Sequence, residues 1–425
     1  MTESEFDNIP RIDKVGYLYE TLGWIDDGAT FEEIREAQIE YRKALDRDSF
    51  VDKRSGASSM RLLGKYANGE TYWTNTRATV AELMRLGLVV PGPVPSKKEQ
   101  LAAHRERRYQ LTGEGNDFVA LMARDFWKFQ DRFAQAFILS HSVSRQLLAL
   151  LTHRELFIPR FGTNHLRGHI RSWPFVPPLL SLVENVCSRI AAAGGAEIAP
   201  ERLLVEFEPR MKKLWGKRDR APKTHDFNKS MVKAINDQVL RAIVALHRVP
   251  LNVVDFHAAV SLLSGLGALE SSHCLMGRTG WTIWTTADVL PPAHCGEGQS
   301  PAAAALAGAP WLSRRTVADA VLQDAIIRGV LSASNREGGF ALIHEVRAHV
   351  CHQHRIHARL FNQLLRKMHK GELGHPAYNV YLDRGGYAHL PPSELPFLSD
   401  GRDFYLITFI PSQEISHGAR QQIYS

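Results

Sequence analysis

Six residues between 344 and 357 have the chemistry of metal ligands: His344, His349, Cys351, His352, His354 and His357. Neutral imidazole and thiolate both bind zinc. Zinc ligands must converge on one point, however, and the usual pair of separated Cys/His knuckles is missing. A second set, His273-Cys274 and His294-Cys295, places its ligands side by side rather than two or four residues apart. Both sets read as ordinary surface or half-buried histidines. No metal and no cofactor is expected.

Catalytic spacings are equally scarce. Restriction-type nucleases set a Lys two residues after Asp or Glu, so that the carboxylate holds Mg²⁺ and the Lys steadies the attacking water. None of the 15 lysines has an acid at that position. The chain also lacks a Gly-x-Ser-x-Gly elbow, a Gly-x4-Gly-Lys-Ser/Thr phosphate loop and a His-Glu-x-x-His helix. No His-x-Lys pair of the phospholipase-like nucleases occurs either. No catalytic residue is assigned, and a non-catalytic role is the favoured reading.

What remains is positive charge. The formal net charge is +7 and the isoelectric point about 9.2, which favours a polyanionic partner. Arginine dominates the 52 basic residues, and its planar fork suits phosphate and guanine. Two stretches concentrate the charge. Lys97, Lys98, Arg105, Arg107 and Arg108 lie between the short apolar runs 88–90 and 109–111. Residues 210–233 hold nine basic residues against Asp219 and Asp226, among them Lys212, Lys213, Lys217, Arg218, Arg220 and Lys223. The centre of that second stretch, 216–224, has loop composition, and each phosphate it neutralised would make binding salt-sensitive.

The elements that must position these groups follow from pattern. The fold class expected is α+β, predominantly helical, with tandem winged-helix domains and short β-hairpin wings. Residues 1–55 read as a helical segment and 56–120 as a first winged helix. Thr74-Asn75-Thr76 offers its helix an N-cap, Val80, Leu83, Met84 and Leu86 its apolar face, and Gly87 its stop. Residues 121–228 form a helical middle region, with a basic loop at 210–228. Met122, Phe126, Phe129, Phe133 and Phe137 make an aromatic stripe there that reads as core.

A second winged-helix pattern occupies 229–290, with Arg278 near its hairpin tip. In both patterns a helix ends in Leu-Gly and passes straight into a strand. Residues 291–311 are Pro/Ala/Gly-rich and read as a linker. Residues 312–343 form a helix-hairpin unit, its helix starting after Ser313, and 344–425 a C-terminal winged-helix-like domain. In the last, the helix 357–370 exposes Arg359, Arg366, Lys367 and Lys370 while Leu360, Leu364 and Met368 face inward.

The passage from Tyr72-Trp-Thr-Asn-Thr-Arg to Leu111-Thr-Gly-Glu-Gly resembles winged-helix DNA-binding domains, whose wing commonly ends in Tyr/Arg-x-Leu-Thr-x-x-Gly. The resemblance implies a recognition helix carrying Arg77 and Arg85, and a wing carrying Lys97, Lys98, Arg105, Arg107 and Arg108. More loosely, Trp73-Thr-Asn-Thr-Arg and Ile170-Arg-Ser-Trp-Pro-Phe are similar to the recognition portion of type IIS restriction endonucleases, whose cleavage motif this chain lacks.

The function expected is duplex-DNA recognition within a prokaryotic defence, restriction or mobile-element complex, with protein partners that carry the ATPase or nuclease activity. The alternatives are a kleisin-like subunit of an SMC-type ATPase and a divergent restriction-type nuclease. Four cysteines make no disulfide framework, residues 1–7 lack the features of a secretory signal, and no apolar run reaches a membrane span. A cytoplasmic location and no membrane partner are expected.

Overall fold

The computed structural model describes residues 15–25, 28–48, 70–92, 107–152, 155–162, 176–193, 197–218, 225–247, 251–273, 275, 278–289, 299–307, 312–334, 339–384, 397–399 and 402–411. They form two compact units. Unit 1 takes Met1–Ala149, Val254–Ala268 and Asp288–Ser313, and unit 2 takes Leu150–Val253, Leu269–Ala287 and Arg314–Ser425. The chain therefore passes from one unit to the other five times. The architecture is α+β and mostly helical, with small antiparallel sheets of two or three strands.

In chain order the first elements are α1 (Gly16–Trp24), β1 (Ala29–Thr30), α2 (Phe31–Asp48), α3 (Glu70–Arg85), β2 (Val89–Pro91) and β3 (Arg108–Leu111). Next come α4 (Gly113–Arg124), α5 (Phe126–Ser140), α6 (Ser142–Leu151), β4 (Leu156–Pro159), α7 (Val176–Ala192), α8 (Pro200–Arg218), α9 (His225–Leu246) and α10 (Val253–Gly265). Then follow β5 (Leu269–Ser272), β6 (Gly280–Thr285), β7 (Ala287–Val289), α11 (Pro301–Ala307), β8 (Leu312–Arg314), α12 (Asp319–Ala333), β9 (Ala341–Leu342), α13 (Ile343–His354) and α14 (Ala358–His369). The last are β10 (Tyr378–Asp383), β11 (Phe397–Ser399), β12 (Arg402–Phe404) and β13 (Leu406–Pro411).

Three sheets share one plan. Their strand orders are β1-β3-β2, β4-β6-β5 and β9-β13-β10, so each time the last strand in sequence is the central one. Each time, too, the helix before the second strand ends in a left-handed glycine: Gly87 (φ 81°), Gly267 (φ 75°) and Gly371 (φ 72°). The closing hydrogen bonds are the same. Leu88 N donates to Leu83 O (3.0 Å), Ala268 N to Leu263 O (2.9 Å) and Glu372 N to Lys367 O (2.9 Å). This six-to-one bond with glycine at the left-handed position is the Schellman helix end. The first module follows the order helix, strand, helix, helix, strand, strand; the last adds the β11-β12 hairpin before its final strand, and four helices, α7 to α10, separate β4 from β5.

Several boundaries differ from the pattern reading. Helix α3 begins at Glu70, so Thr74, Asn75 and Thr76 lie inside it rather than capping it. The Thr76 hydroxyl serves a buried side-chain network instead. Thr76 Oγ1 donates to Gln38 Oε1 (2.8 Å), Thr79 Oγ1 donates to Asn75 O (2.8 Å), and Gln38 Nε2 donates to Thr21 Oγ1 (3.1 Å). The long helix expected after Asn116 is three helices, broken at Asp125 and His141. Asp125 caps α5 by accepting from Lys128 N at 3.0 Å.

Helix α12 starts at Asp319, after strand residues 312–314, and not at Ser313. The stretch 291–311 contains helix α11, and α8 runs on through Gly216 to Arg218. Finally, β9 pairs with β13, so the units expected at 312–343 and 344–425 share one sheet.

Unit 1 is centred on aromatic rings. Tyr19 meets Phe129 and Phe133 edge-on with centroids 5.0 Å apart, and Phe118 stands 6.1 Å and 6.2 Å from the same two rings. Phe129, Phe133 and Phe137 of the predicted stripe are buried, whereas Phe126 is 46% exposed. The Leu-Thr-Gly-Glu-Gly end of β3 has a packing reason. Thr112 caps α4 by accepting from Gly115 N (3.0 Å) and donates to Gly87 O (2.7 Å). A Cβ on Gly115 would sit 2.2 Å from Leu88 O.

In unit 2, Trp284 of β6 joins the core formed by α12, α13, α14 and the β9-β13-β10 sheet. Asn236 of α9 stands in for a strand against Phe161, accepting from its N (2.8 Å) and donating to its O (3.0 Å).

Candidate nucleic-acid interface

Each helix that precedes a glycine end shows what its module can offer a partner. Among the described side chains of α3 the buried ones are Thr76, Thr79, Val80, Glu82 and Leu83, joined by Leu86 just past its end. Arg77 and Arg85 fall on the exposed side, two helical turns apart. Arg108 of the following hairpin is exposed, and half-buried Arg107 lies 5.9 Å from the Tyr109 ring centre.

On α14, Phe361, Leu364, Leu365 and Met368 are buried, while Arg366, Lys367 and Lys370 are exposed and Arg359 is half-buried. Leu360, expected inward, is only half-buried; Phe361 and Leu365 carry the core contact in its place. Lys367 Nζ lies 3.0 Å from Asp319 Oδ2, and Arg366 packs 5.9 Å from the Phe397 ring centre. His357 caps α14 by accepting from Arg359 N at 3.2 Å.

Helix α10, the third helix with a glycine end, offers no such face. Helix α10 contains no Lys or Arg, and all six residues of β6 are buried. Its strands are structural core.

Of the remaining basic residues singled out in the sequence, Lys97, Lys98, Arg105, Arg220 and Lys223 lie outside the described residues. Lys212, Lys213, Lys217 and Arg218 lie on α8 and not on a loop.

The histidine-rich stretch falls on α13 and its end. His344 and Cys351 are buried, and His349, His352 and His354 half-buried. Among the described residues no three His, Cys, Asp or Glu side chains are grouped so as to hold a metal ion. Cys274, His294 and Cys295 lie outside those residues. Burial lowers the His349 and His354 pKa values, helped by His352 and by Arg328 respectively.

A second cluster escaped the pattern reading because its members are far apart in sequence. Glu155, just before β4, accepts from Arg278 Nη1 on one oxygen and pairs with His352 Nε2 on the other. Burial alone would raise the Glu155 pKa, but the hydrogen bonds and charges of His352 and Arg278 outweigh it and hold the carboxyl below its usual range. The His352 ring meets Trp284 edge-on at 5.2 Å, and Arg278 lies 5.9 Å from the Phe157 ring centre.

Arg355 follows His352 by three residues. It ends α13 in the left-handed region, at φ 53°, with Ile356 N donating to Cys351 O at 3.0 Å. This is the same helix end as the three glycine ones, built with a side chain that costs about 1 kcal/mol or more in that conformation. Its Nη1 is buried with no hydrogen-bond partner. Burial pulls its pKa down; Glu155 opposes this, and Arg315 and Arg278 add to it.

Comparison with known proteins finds no match: no protein family, no curated protein and no solved structure resembles the chain closely enough to align with it. No helix among the described residues is long and apolar enough to cross a membrane.

Proposed function

We propose that the chain is a non-catalytic duplex-DNA-binding protein whose first and last modules are winged helices. The observation that carries this reading is the recurrence of one plan with a basic helix at both ends of the chain. The order helix, strand, helix, helix, strand, strand, with the final strand central, occurs in residues 16–111, and again in residues 319–411 with the β11-β12 hairpin inserted before the final strand. In each, the helix before the glycine end presents cations outward: Arg77 and Arg85 in the first, Arg366, Lys367 and Lys370 in the second. A helix of that kind fits the major groove, and the hairpin beside it meets the phosphates. The +7 net charge supports the same partner.

The middle module, without cations on its helix and with a fully buried strand, serves as scaffold. The reader therefore has two contact modules rather than an unbroken array. Such a chain supplies recognition to a defence, restriction or mobile-element complex whose ATPase or nuclease is a separate polypeptide. The test is a fluorescence titration of duplex DNA at several salt concentrations. Binding whose logarithm falls linearly with the logarithm of salt supports the reading, and no binding at low ionic strength refutes it.

A second reading, a subunit that uses its modules for protein contact, is favoured by the adjacent Phe126 and Trp127, 46% and 43% exposed at the start of α5. Two large apolar rings side by side give a protein partner a patch to cover, which phosphates would not. It predicts a stable complex with a partner protein that survives charge reversal at Arg105, Arg107 and Arg108.

A further inference from the structure

One row of side chains ties the C-terminal module to the β4-β6-β5 sheet. Glu270 of β5 pairs across the strands with Trp284 of β6, and Leu156 of β4 pairs with Ile283, the residue before Trp284. Glu155, one residue before Leu156, therefore continues the row on the other side of Trp284. Neighbours in such a row share one face of the sheet. An indole thus stands between two carboxylates.

All three side chains meet the bend between α13 and α14. Trp284 touches the His352 ring edge-on at 5.2 Å, and Glu155 pairs with His352 Nε2 near the end of α13. Past the bend, Glu270 Oε2 accepts from Ala358 N at 2.9 Å, on the first residue of α14, and lies 3.6 Å from His357 Nε2. The sheet grips the helix pair once on each side of the bend. Trp284 already supplies the apolar anchor, since it is fully buried in the C-terminal core. Stability does not call for the flanking charges, because well-packed apolar side chains serve a buried contact as well or better. An anchor at one point leaves the helices able to pivot about it, whereas directional bonds on both sides do not.

The quantity so fixed is the axis of α14. Arg366, Lys367 and Lys370 follow Ala358 by 8, 9 and 12 residues, or roughly 12–18 Å along a helix. A tilt of about 15° at Ala358 would carry them about 3–5 Å sideways, further than a hydrogen bond to a phosphate tolerates. We infer that Glu270 is a positioning residue for the C-terminal basic helix, with Glu155 bracing the other side of the bend. It sets the angle at which the cations of α14 are presented and does not itself touch the partner.

This rests on the DNA reading of α14, and the experiment separates the two. Duplex DNA is titrated into the full wild-type chain, Glu270→Ala, Glu270→Gln, Arg366→Ala and the Glu270→Ala, Arg366→Ala double variant, each kept well below its melting midpoint. Removing a negative charge beside a basic helix would by itself tighten binding to a polyanion. Loss of position predicts the opposite sign. Glu270→Ala is expected to bind about tenfold more weakly, and Arg366→Ala to cost less in that background than in wild type. Glu270→Gln, which keeps a neutral acceptor for Ala358 N, should fall between. If the wild type does not bind, the DNA reading and this inference fall together. If the wild type binds and Glu270→Ala binds as tightly or more so, the inference alone is overturned. Should Glu270→Ala fail to fold, Glu270→Gln decides by the same sign.

Discussion

His141 Nε2 lies 2.8 Å from Glu82 Oε1, and both side chains are sealed from solvent. Glu82 sits on the buried side of α3, between Arg77 and Arg85 on the exposed side, and Arg85 Nε reaches to 3.9 Å from its other oxygen. The pair thus ties the helix that presents two basic residues to the junction of α5 and α6, 59 positions further on. The strength of that tie sets how firmly the basic face is held.

Glu82→Ala is expected to destabilise the protein by about 1–3 kcal/mol, because it leaves a polar ring buried without its partner. The double variant Glu82→Met, His141→Leu should recover much of that loss. Urea unfolding midpoints of the single and double variants check the expectation; a double variant as unstable as the single one would show that the pair is not the cause.

Two glycines two residues apart should behave oppositely. Gly115→Ala places a Cβ 2.2 Å from Leu88 O, a backbone atom that cannot swing away, so a loss of about 1–3 kcal/mol is expected. Gly113→Ala meets nothing within 4 Å and starts a helix, so it should stabilise by about 0.4–1 kcal/mol. Thermal denaturation of the two variants side by side gives the sign of each.

If duplex DNA is the partner, Arg366→Ala and Lys370→Ala should each weaken binding to all sequences and flatten the salt slope by about one unit. Arg77→Ala, on the first module, should instead relax sequence preference. Lys367→Ala also removes the ion pair with Asp319, whose partners are 49% and 55% exposed; such pairs contribute at most about 1 kcal/mol to stability. Binding isotherms at three salt concentrations separate these effects, and four silent variants in a chain that still binds would place the contact surface elsewhere.

Acidification should destabilise the fold in two steps. His349 and His354 have folded pKa values lowered by burial. Their neutral forms favour the fold fully above the unfolded value of about 6.5, and that contribution is lost as the pH falls through the folded values.

Carboxylates follow at lower pH. Glu33 and Thr30 form a reciprocal cap at the start of α2, Thr30 N and Oγ1 donating to Glu33 Oε2 at 2.7 and 2.9 Å while Glu33 N donates to Thr30 Oγ1 at 3.2 Å. These bonds hold the Glu33 carboxyl below its usual range. Its contribution is complete above the unfolded value of about 4.3 and vanishes as the pH drops through the folded one. Urea midpoints recorded from pH 8 to pH 3 should show both steps, and Glu33→Gln should blunt the second alone.

The parts of the fold legible in the sequence were those written in local chemistry. Leu86-Gly87 and Leu266-Gly267 announce a helix end followed by a strand, and both are so built. The Leu-Thr-x-x-Gly run at 111–115 marks a capped helix whose glycine admits a neighbouring carbonyl. Thr74 to Thr76 misled because the helix already begins at Glu70 and the Thr76 hydroxyl that could cap it bonds instead to Gln38.

The basic faces of α3 and α14 follow from spacing, since period 3.6 separates Leu364 and Met368 from Arg366 and Lys370. The Glu155 cluster does not. His352 is 197 residues from Glu155, and no local pattern signals a pair that only the tertiary fold brings together. Arg355 was equally silent, because a left-handed arginine has no sequence signature of its own.

The interleaving of the two units constrains how the protein can be made. Helix α3 is finished at its end by residues far downstream: Ala302 N donates to Leu86 O at 3.0 Å, and Ser300 fills the space that only a glycine at 87 leaves open. On a ribosome adding about 5–20 residues per second, residues 88–302 take on the order of ten seconds or more to emerge. For that interval the end of α3 lacks the hydrogen bond that Ala302 supplies, and the helix must hold its last turn by its own glycine end.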